Sequence, residues 1–343
     1  MNKERKIIFE CRVGSHLYGT NRPESDEDFL GVFLPSTEDL LSLGNCPSEW
    51  TMNEKLSDGP RNAKGDTDRK YFSLQKFLKL CGEGQSGAIE LLFAPSNMIV
   101  KYTHEWEYIL EHRDIFISKG SILPFVGFAT AQMYKACVKG ENLKMLRQLI
   151  ENIESITKAF PDKKYKTVEE EVSAIWSSPN EGMFFGIRLP CVKTTYTYED
   201  KTMEMECIQV VGRKFEFTQK IKDVLSKLKG LEGRYGTRSE AALENGYDFK
   251  SMCHAYRLLY QAEELMATGK ISLPRPKNEA IFLTIIREGK YEADYFQEIE
   301  TMITKLNQIK ETSHLPYDCD FGKINELCKE MLFEHLFEEE YGL

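Results

Sequence analysis

Several things are scarce in this chain of 343 residues. No apolar run approaches the roughly 20 residues that span a bilayer. The opening MNKERKIIFE turns polar and strand-like and has no signal-peptide core. The nine cysteines are odd in number and scattered, with no Cys-x-x-Cys and no Cys/His pair at zinc spacing. They read as buried reduced thiols of a cytoplasmic protein. The three tryptophans show no cage-like spacing, and there is no internal repeat or low-complexity linker. Together these absences argue against membrane-spanning, secreted disulfide-rich, fibrous and disordered classes.

Excess charge is also missing from most of the chain. The net charge is −9, but Glu288 to Leu343 holds 14 acidic and 5 basic residues, and the other 287 residues carry 40 of each sign. A protein that coats nucleic acid broadly is therefore not expected, whereas a local basic groove is still allowed. The content of 41% hydrophobic and 29% charged residues is ordinary for a globular protein, and the length suits about two domains.

What is present begins with a strand-like run, Lys6 to Val13, that ends at Gly14-Ser15. A second strand-like run, Phe29 to Leu34, closes at Pro35. Gly44 to Gly65 is polar and reads as a long loop or frayed insertion. Asp66 to Phe72 reads as a short strand. Ser73 then reads as an N-cap for an amphipathic helix with Leu74, Phe77, Leu78 and Cys81 on one face, ending at Gly82. Ala88 to Phe93 is an apolar run. From about Phe125 the pattern is mainly helical, interrupted by a β-hairpin signal in Met183 to Val211 that turns at Glu199-Asp200-Lys201. The change near residue 115 divides the chain into 1–115 and 116–343. The expected class is α+β, with a mixed N-terminal sheet followed by a mainly helical domain that carries the hairpin.

The chemistry-bearing segment is Gly14-Ser15, followed eleven residues later by Asp26-Glu27-Asp28. Residues i and i+2 of a strand share a face, so Asp26 and Asp28 bring two carboxylates side by side. Such a pair repels unless a cation lies between, and hard oxygens suit Mg²⁺ or Mn²⁺. Gly-Ser after a strand lets backbone approach closely and offers N–H groups and a hydroxyl to phosphate. A phosphate cradle beside paired Asp is the minimum for metal-assisted phosphoryl or nucleotidyl transfer.

The segment GSHLYGTNRPESDEDFLGVF resembles the signature of DNA polymerase β superfamily nucleotidyltransferases. It is most similar to the RNA-ligase-associated, RNA-repair-linked branch. Gly14, Ser15, Tyr18, Gly19, Pro23, Ser25, Asp26, Asp28, Gly31 and Val32 match. YFSLQKFLKL and IELLFAP resemble that family's next helix and strand, and NGYDFKSMCHAYRLLYQAEELMATGKISLPRP its distal helical signature. GEGQSG departs from the family's Gly-Asn-Pro.

The resemblance implies a polymerase β-like core in 1–115. It also implies a third carboxylate just before the SLQKF helix, where Asp68 fits better than Asp66. Asp26, Asp28 and Asp68 would hold two Mg²⁺ or Mn²⁺ ions, and Gly14 and Ser15 would bind an NTP. The acceptor implied is an RNA end, with a protein hydroxyl as the alternative. A non-catalytic nucleotide-binding protein is the competing class. No membrane partner is expected, and the oligomeric state is open.

Phe249 to Gly269 reads as a helix with Lys250, His254, Arg257, Gln261 and Glu264 along one stripe. The resemblance turns this helix toward the core, so Lys250, His254 and Arg257 are candidates for the nucleotide site. Arg213 to Arg238, with eight basic and three acidic residues, is the most basic stretch. Glu90 is an unusual charge inside an apolar run. Leu327, Met331, Leu332 and His335-Leu336 could dock an acidic C-terminal helix.

Overall fold

The strand and capping signals near the N-terminus build a mixed sheet. The computed structural model describes residues 5–23, 25–44, 46–54, 67–160, 162–164, 183–184, 187–188, 191–198, 201–211, 213–233, 235 and 237–341. Five strands run β1 (Lys6–Arg12), β2 (Glu27–Leu34), β3 (Glu49–Glu54), β4 (Thr67–Ser73) and β5 (Ile99–Tyr102) along the chain. In space their order is β3-β4-β2-β1-β5. The β2–β4 pair is parallel and the other pairs are antiparallel.

Strand alternation gives the sheet two distinct faces. Phe9, Val32 and Phe72 form one registered row across β1, β2 and β4, and all three are buried. Phe9 stacks on Trp106 at 3.8 Å between ring centres, and Phe77 meets the same indole at 5.2 Å. Trp106 comes from α5 (His104–Glu111) and Phe77 from α3 (Leu74–Gly82), so two helices cover this face. The α3 helix starts as its sequence predicts: the Ser73 hydroxyl accepts from the Lys76 N–H, and Leu74, Phe77, Leu78 and Cys81 are buried. On the other face Glu10, Gly31, Tyr71 and Trp50 are in register. A Cβ at Gly31 would lie 2.7 Å from the Tyr71 ring and 2.5 Å from the Phe9 carbonyl oxygen, so only glycine fits there.

The remaining elements are α1 (Ser15–Tyr18), α2 (Thr37–Leu41), α4 (Ser86–Leu91) and α6 (Lys119–Ala159), then the short strands β6 (Met183–Phe184) and β7 (Ile187–Arg188). A three-stranded meander follows, β8 (Cys191–Tyr198), β9 (Lys201–Val210) and β10 (Arg213–Glu216). Among the described residues six α-helices follow: α7 (Ile221–Glu232), α8 (Thr237–Asn245), α9 (Phe249–Thr268), α10 (Lys277–Arg287), α11 (Tyr295–Thr312) and α12 (Phe321–Tyr341). The architecture is α+β, and the expected hairpin is β8–β9 with β10 added at its edge.

The chain packs into two compact units, Met1–Met133 with Met252–Leu343, and Tyr134–Ser251. The pattern change near 115 suggests one cut; packing makes two, inside α6 and inside α9. In the first unit α12 docks through Ile324, Leu327, Met331 and His335, all buried. His335 Nε2 lies 3.1 Å from the Pro35 carbonyl oxygen. The second unit has its own core, including Leu146 and Ile153 of α6, Ile208 and Phe215 of the meander, and Val224 of α7.

Two local readings change. The Ala88–Phe93 run, likened to a strand, lies largely in helix α4, because a short apolar run carries no period of its own. The polar stretch Gly44–Gly65 contains strand β3, whose pairing with β4 and aromatic contacts of Trp50 outweigh its polar composition. Among the described residues no helix is long and apolar enough to cross a membrane.

Candidate active site

The turn after β1 is built around Gly14. Its φ of 68° and ψ of −145° suit glycine alone. The conformation lets the backbone press against β2: Val13 N–H donates to the Asp28 carbonyl oxygen at 2.8 Å. A Cβ on Gly14 would come within 3.1 Å of Asp28 Oδ2. Gly14 therefore abuts the Asp28 carboxylate directly. The turn continues as the single-turn helix α1, in which Leu17 N–H donates to Gly14 O at 3.1 Å and Thr20 N–H to Ser15 O at 3.0 Å.

Asp28 is the second residue of β2, and Asp68 is the second residue of β4. The parallel register places them opposite each other. Registered residues on neighbouring strands project from the same face, so both carboxylates stand at the strand starts on the helix-covered side. Both are half-buried. Asp26 is exposed and precedes β2 by one residue. Asp66 lies outside the described residues. Among the described residues no three His, Cys, Asp or Glu side chains gather closely enough to hold a metal ion. What does fit a divalent cation is the Asp28–Asp68 pair, since Mg²⁺ is commonly held by one or two carboxylates with phosphate oxygens and water.

The α9 stripe separates into different environments. Arg257 is 6% exposed, and its guanidinium lies 3.6 Å over the Tyr18 ring. Its Nη1 donates to Glu90 Oε1 and, at 3.3 Å, to Gln261 Oε1. The Tyr18 hydroxyl donates to Glu90 Oε2 at 2.6 Å. Burial pushes the Tyr18 phenol up, with Glu90 adding to the effect. Burial opposes the Arg257 charge, but Glu90 and Tyr18 more than offset it, so that guanidinium is held above its ordinary value. Glu90 is thus the buried partner of a cation. Gln261 is fully buried, and its Nε2 has no partner among the described residues. His254 is half-buried and meets Phe128 edge-on at 5.3 Å. Lys250 is exposed and falls in the other compact unit. Arg257 touches the Gly-Ser turn segment through Tyr18.

In the basic stretch, Lys222 pairs with Asp162 at 2.5 Å and Lys229 with Glu154 at 2.6 Å. Those cations serve the surface of the second unit. Arg234 and the Arg238 side chain lie outside the described residues.

Residues 1–158 match the family model described as the RNA repair pathway DNA polymerase beta family. The likeness to that family covers 158 of the 343 residues. The chain is also 29% identical over 307 residues to an uncharacterized 38.9 kDa protein from the nrdC-mobD intergenic region of Enterobacteria phage T4, covering 85% of this chain and 86% of that one. No solved structure matches the chain.

Sequence reasoning overlooked Arg275. Its side chain is 1% exposed, it binds Glu264 at 2.5 Å and Glu279 at 2.7 Å, and its N–H donates to the Tyr18 carbonyl oxygen at 3.3 Å. The signal available was the charge set inside the LPRP segment. His16, on α1, was also overlooked; its Nε2 is buried without a partner among the described residues.

Proposed function

We propose that this protein is a divalent-cation-dependent nucleotidyltransferase that moves a nucleoside monophosphate from an NTP to a hydroxyl of an RNA end, releasing pyrophosphate. The observation that carries the reading is the register pairing of Asp28 with Asp68 beside the Gly14-Ser15 turn. The polymerase β-like match over residues 1–158 supports the same chemistry, and its RNA-repair description supports RNA as acceptor.

In this mechanism Asp28 and Asp68 would hold the cation, and Asp26, just before β2, would be available to a second ion. Bound there, a divalent cation would neutralise phosphate charge and lower the pKa of the acceptor hydroxyl. Gly14 and Ser15 bind the triphosphate through backbone N–H and hydroxyl groups. Asp68 takes the proton of the acceptor hydroxyl. The acceptor oxygen then attacks the α-phosphorus in line, and the bond to pyrophosphate breaks.

The test is to incubate the protein with each α-labelled NTP and Mg²⁺, with and without RNA. Label entering RNA, and its loss in Asp28→Asn, is the expected result. Label entering protein would move the acceptor to a protein hydroxyl. NTP binding that ignores Mg²⁺, with no transfer to any acceptor, would replace the enzyme reading with a binding protein. A binding constant for short RNA that is flat with salt would remove RNA as acceptor.

A further inference from the structure

We infer that Arg257 is a positioning residue of this site. It would act through Tyr18 to hold the Gly14-Ser15 turn at the Asp28 carboxylate. The inference rests on the nucleotidyltransferase reading above and extends it to a segment that lies beyond the family-matched residues 1–158.

Tyr18 is the last residue of α1, and that single turn ties it to Gly14 and Ser15 through the backbone bonds already described. A four-residue helix has little stability of its own, because forming the first turn fixes several dihedral angles for one hydrogen bond. Something outside the turn must hold it. The C-terminal helices do so at several points. The Arg257 guanidinium stacks on the Tyr18 ring, and Glu90 takes hydrogen bonds from both side chains. The Arg275 N–H holds the Tyr18 carbonyl oxygen, and Pro274 packs against Gly19. Arg287 Nη1 donates to the Thr20 carbonyl oxygen at 3.3 Å, and Arg22 pairs with Glu288 at 3.0 Å.

Arg257 makes the central contact because it is buried and touches both other members of the group, the Tyr18 ring and the Glu90 carboxylate. Glu90 and Arg257 balance each other's charge in a site closed to water. Their geometry is therefore fixed by hydrogen bonds rather than by solvent. A guanidinium can stack on a ring and donate in its own plane at once, and an ammonium cannot.

The experiment compares Arg257→Lys and Tyr18→Phe with the wild-type full-length chain. Two readouts are needed: amide hydrogen exchange, and transfer from α-labelled NTP per folded molecule. The expected result is at least tenfold faster exchange in residues 14–20 with unchanged exchange in β1 and β2. The rate of transfer per folded molecule would fall at least tenfold in both variants. Tyr18→Phe keeps the ring and only loses a hydroxyl, so it serves if Arg257→Lys does not fold. Wild-type exchange in residues 14–20 in both variants would overturn the inference. So would faster exchange with an unchanged transfer rate, which would make the cluster merely structural. If the wild-type protein transfers nothing to any acceptor, the nucleotidyltransferase reading and the positioning role built on it both fall. The exchange data then decide separately whether Arg257 holds the turn.

Discussion

Asp28 and Asp68 are register partners on neighbouring parallel strands, which sets two carboxylates at the same level on one face of the sheet. Like charges directly opposite each other cost stability. Asp28→Asn and Asp68→Asn are therefore expected to keep or slightly raise the melting temperature while lowering nucleotidyl transfer by about a hundredfold or more. Calorimetry and label transfer on the same preparations check this. Loss of activity together with a large drop in melting temperature would show that the carboxylates are structural.

Gly14→Ala should damage both stability and the site. The left-handed conformation is expected to cost about 1–3 kcal/mol, and the added methyl would crowd Asp28 Oδ2. Gly246 is the comparison: it has a φ of 82° with nothing within 4 Å of an added Cβ. Gly246→Ala should lose stability from the backbone alone and keep full transfer. Urea melts and transfer rates of the two variants separate strain from crowding.

Arg275→Met should destabilise the first unit by about 3 kcal/mol, because Glu264 and Glu279 would lose their shared cation. That figure sits at the low end for a broken buried pair, since the two carboxylates remain 23% and 24% exposed. Arg275→Lys keeps the charge but not the fork, and should lose less. Equal loss in both variants, read from urea midpoints, would show that the planar geometry and not the charge matters.

Acid should weaken the protein through Glu105. Burial raises this carboxyl, but bonds to Lys6, Thr103 and its own backbone amide outweigh that and hold it below the ordinary value of 4.5. Lys6 Nζ lies 2.5 Å from it. A lowered folded value means that the contribution is complete above the unfolded pKa and is lost as pH falls through the folded one. Unfolding free energy should therefore decline as pH drops from about 5 to about 3, and Glu105→Gln should flatten that decline. An unchanged slope in the variant would assign the acid sensitivity to other groups.

Much of the candidate site was legible in the sequence because its elements are local. Gly14, Ser15, Asp26 and Asp28 lie within one strand-turn-strand stretch, where period and turn chemistry are informative. Asp68 came from the resemblance and not from spacing, since strand pairing across 40 residues leaves no periodic trace. The α9 stripe was visible as a pattern, but its environment was not. A row of polar residues looks the same whether water covers it or, as at Arg257 and Gln261, a carboxylate and a tyrosine do. Strands β3 and β5 went unread because short edge strands owe their form to the neighbours they pair with. The pair formed by Glu90 and Arg257, 167 residues apart, is of the same kind: Glu90 looked anomalous alone, and Arg257 looked like one more member of a polar stripe.

The division of the first unit into two sequence segments affects how the protein can be made. Residues 252–343 are synthesised well after residues 1–133, yet they supply the partners of Tyr18, Thr20 and Arg22. The Gly14-Ser15 turn must wait without these partners while about 120 intervening residues are synthesised. A chain truncated before α9 would carry Asp28 and Asp68 but not the clamp on the turn beside them. In such a chain the Gly14-Ser15 turn would sit beside Asp28 without the Arg257, Arg275 and Arg287 contacts that hold it, so the two segments have to meet before the turn is set.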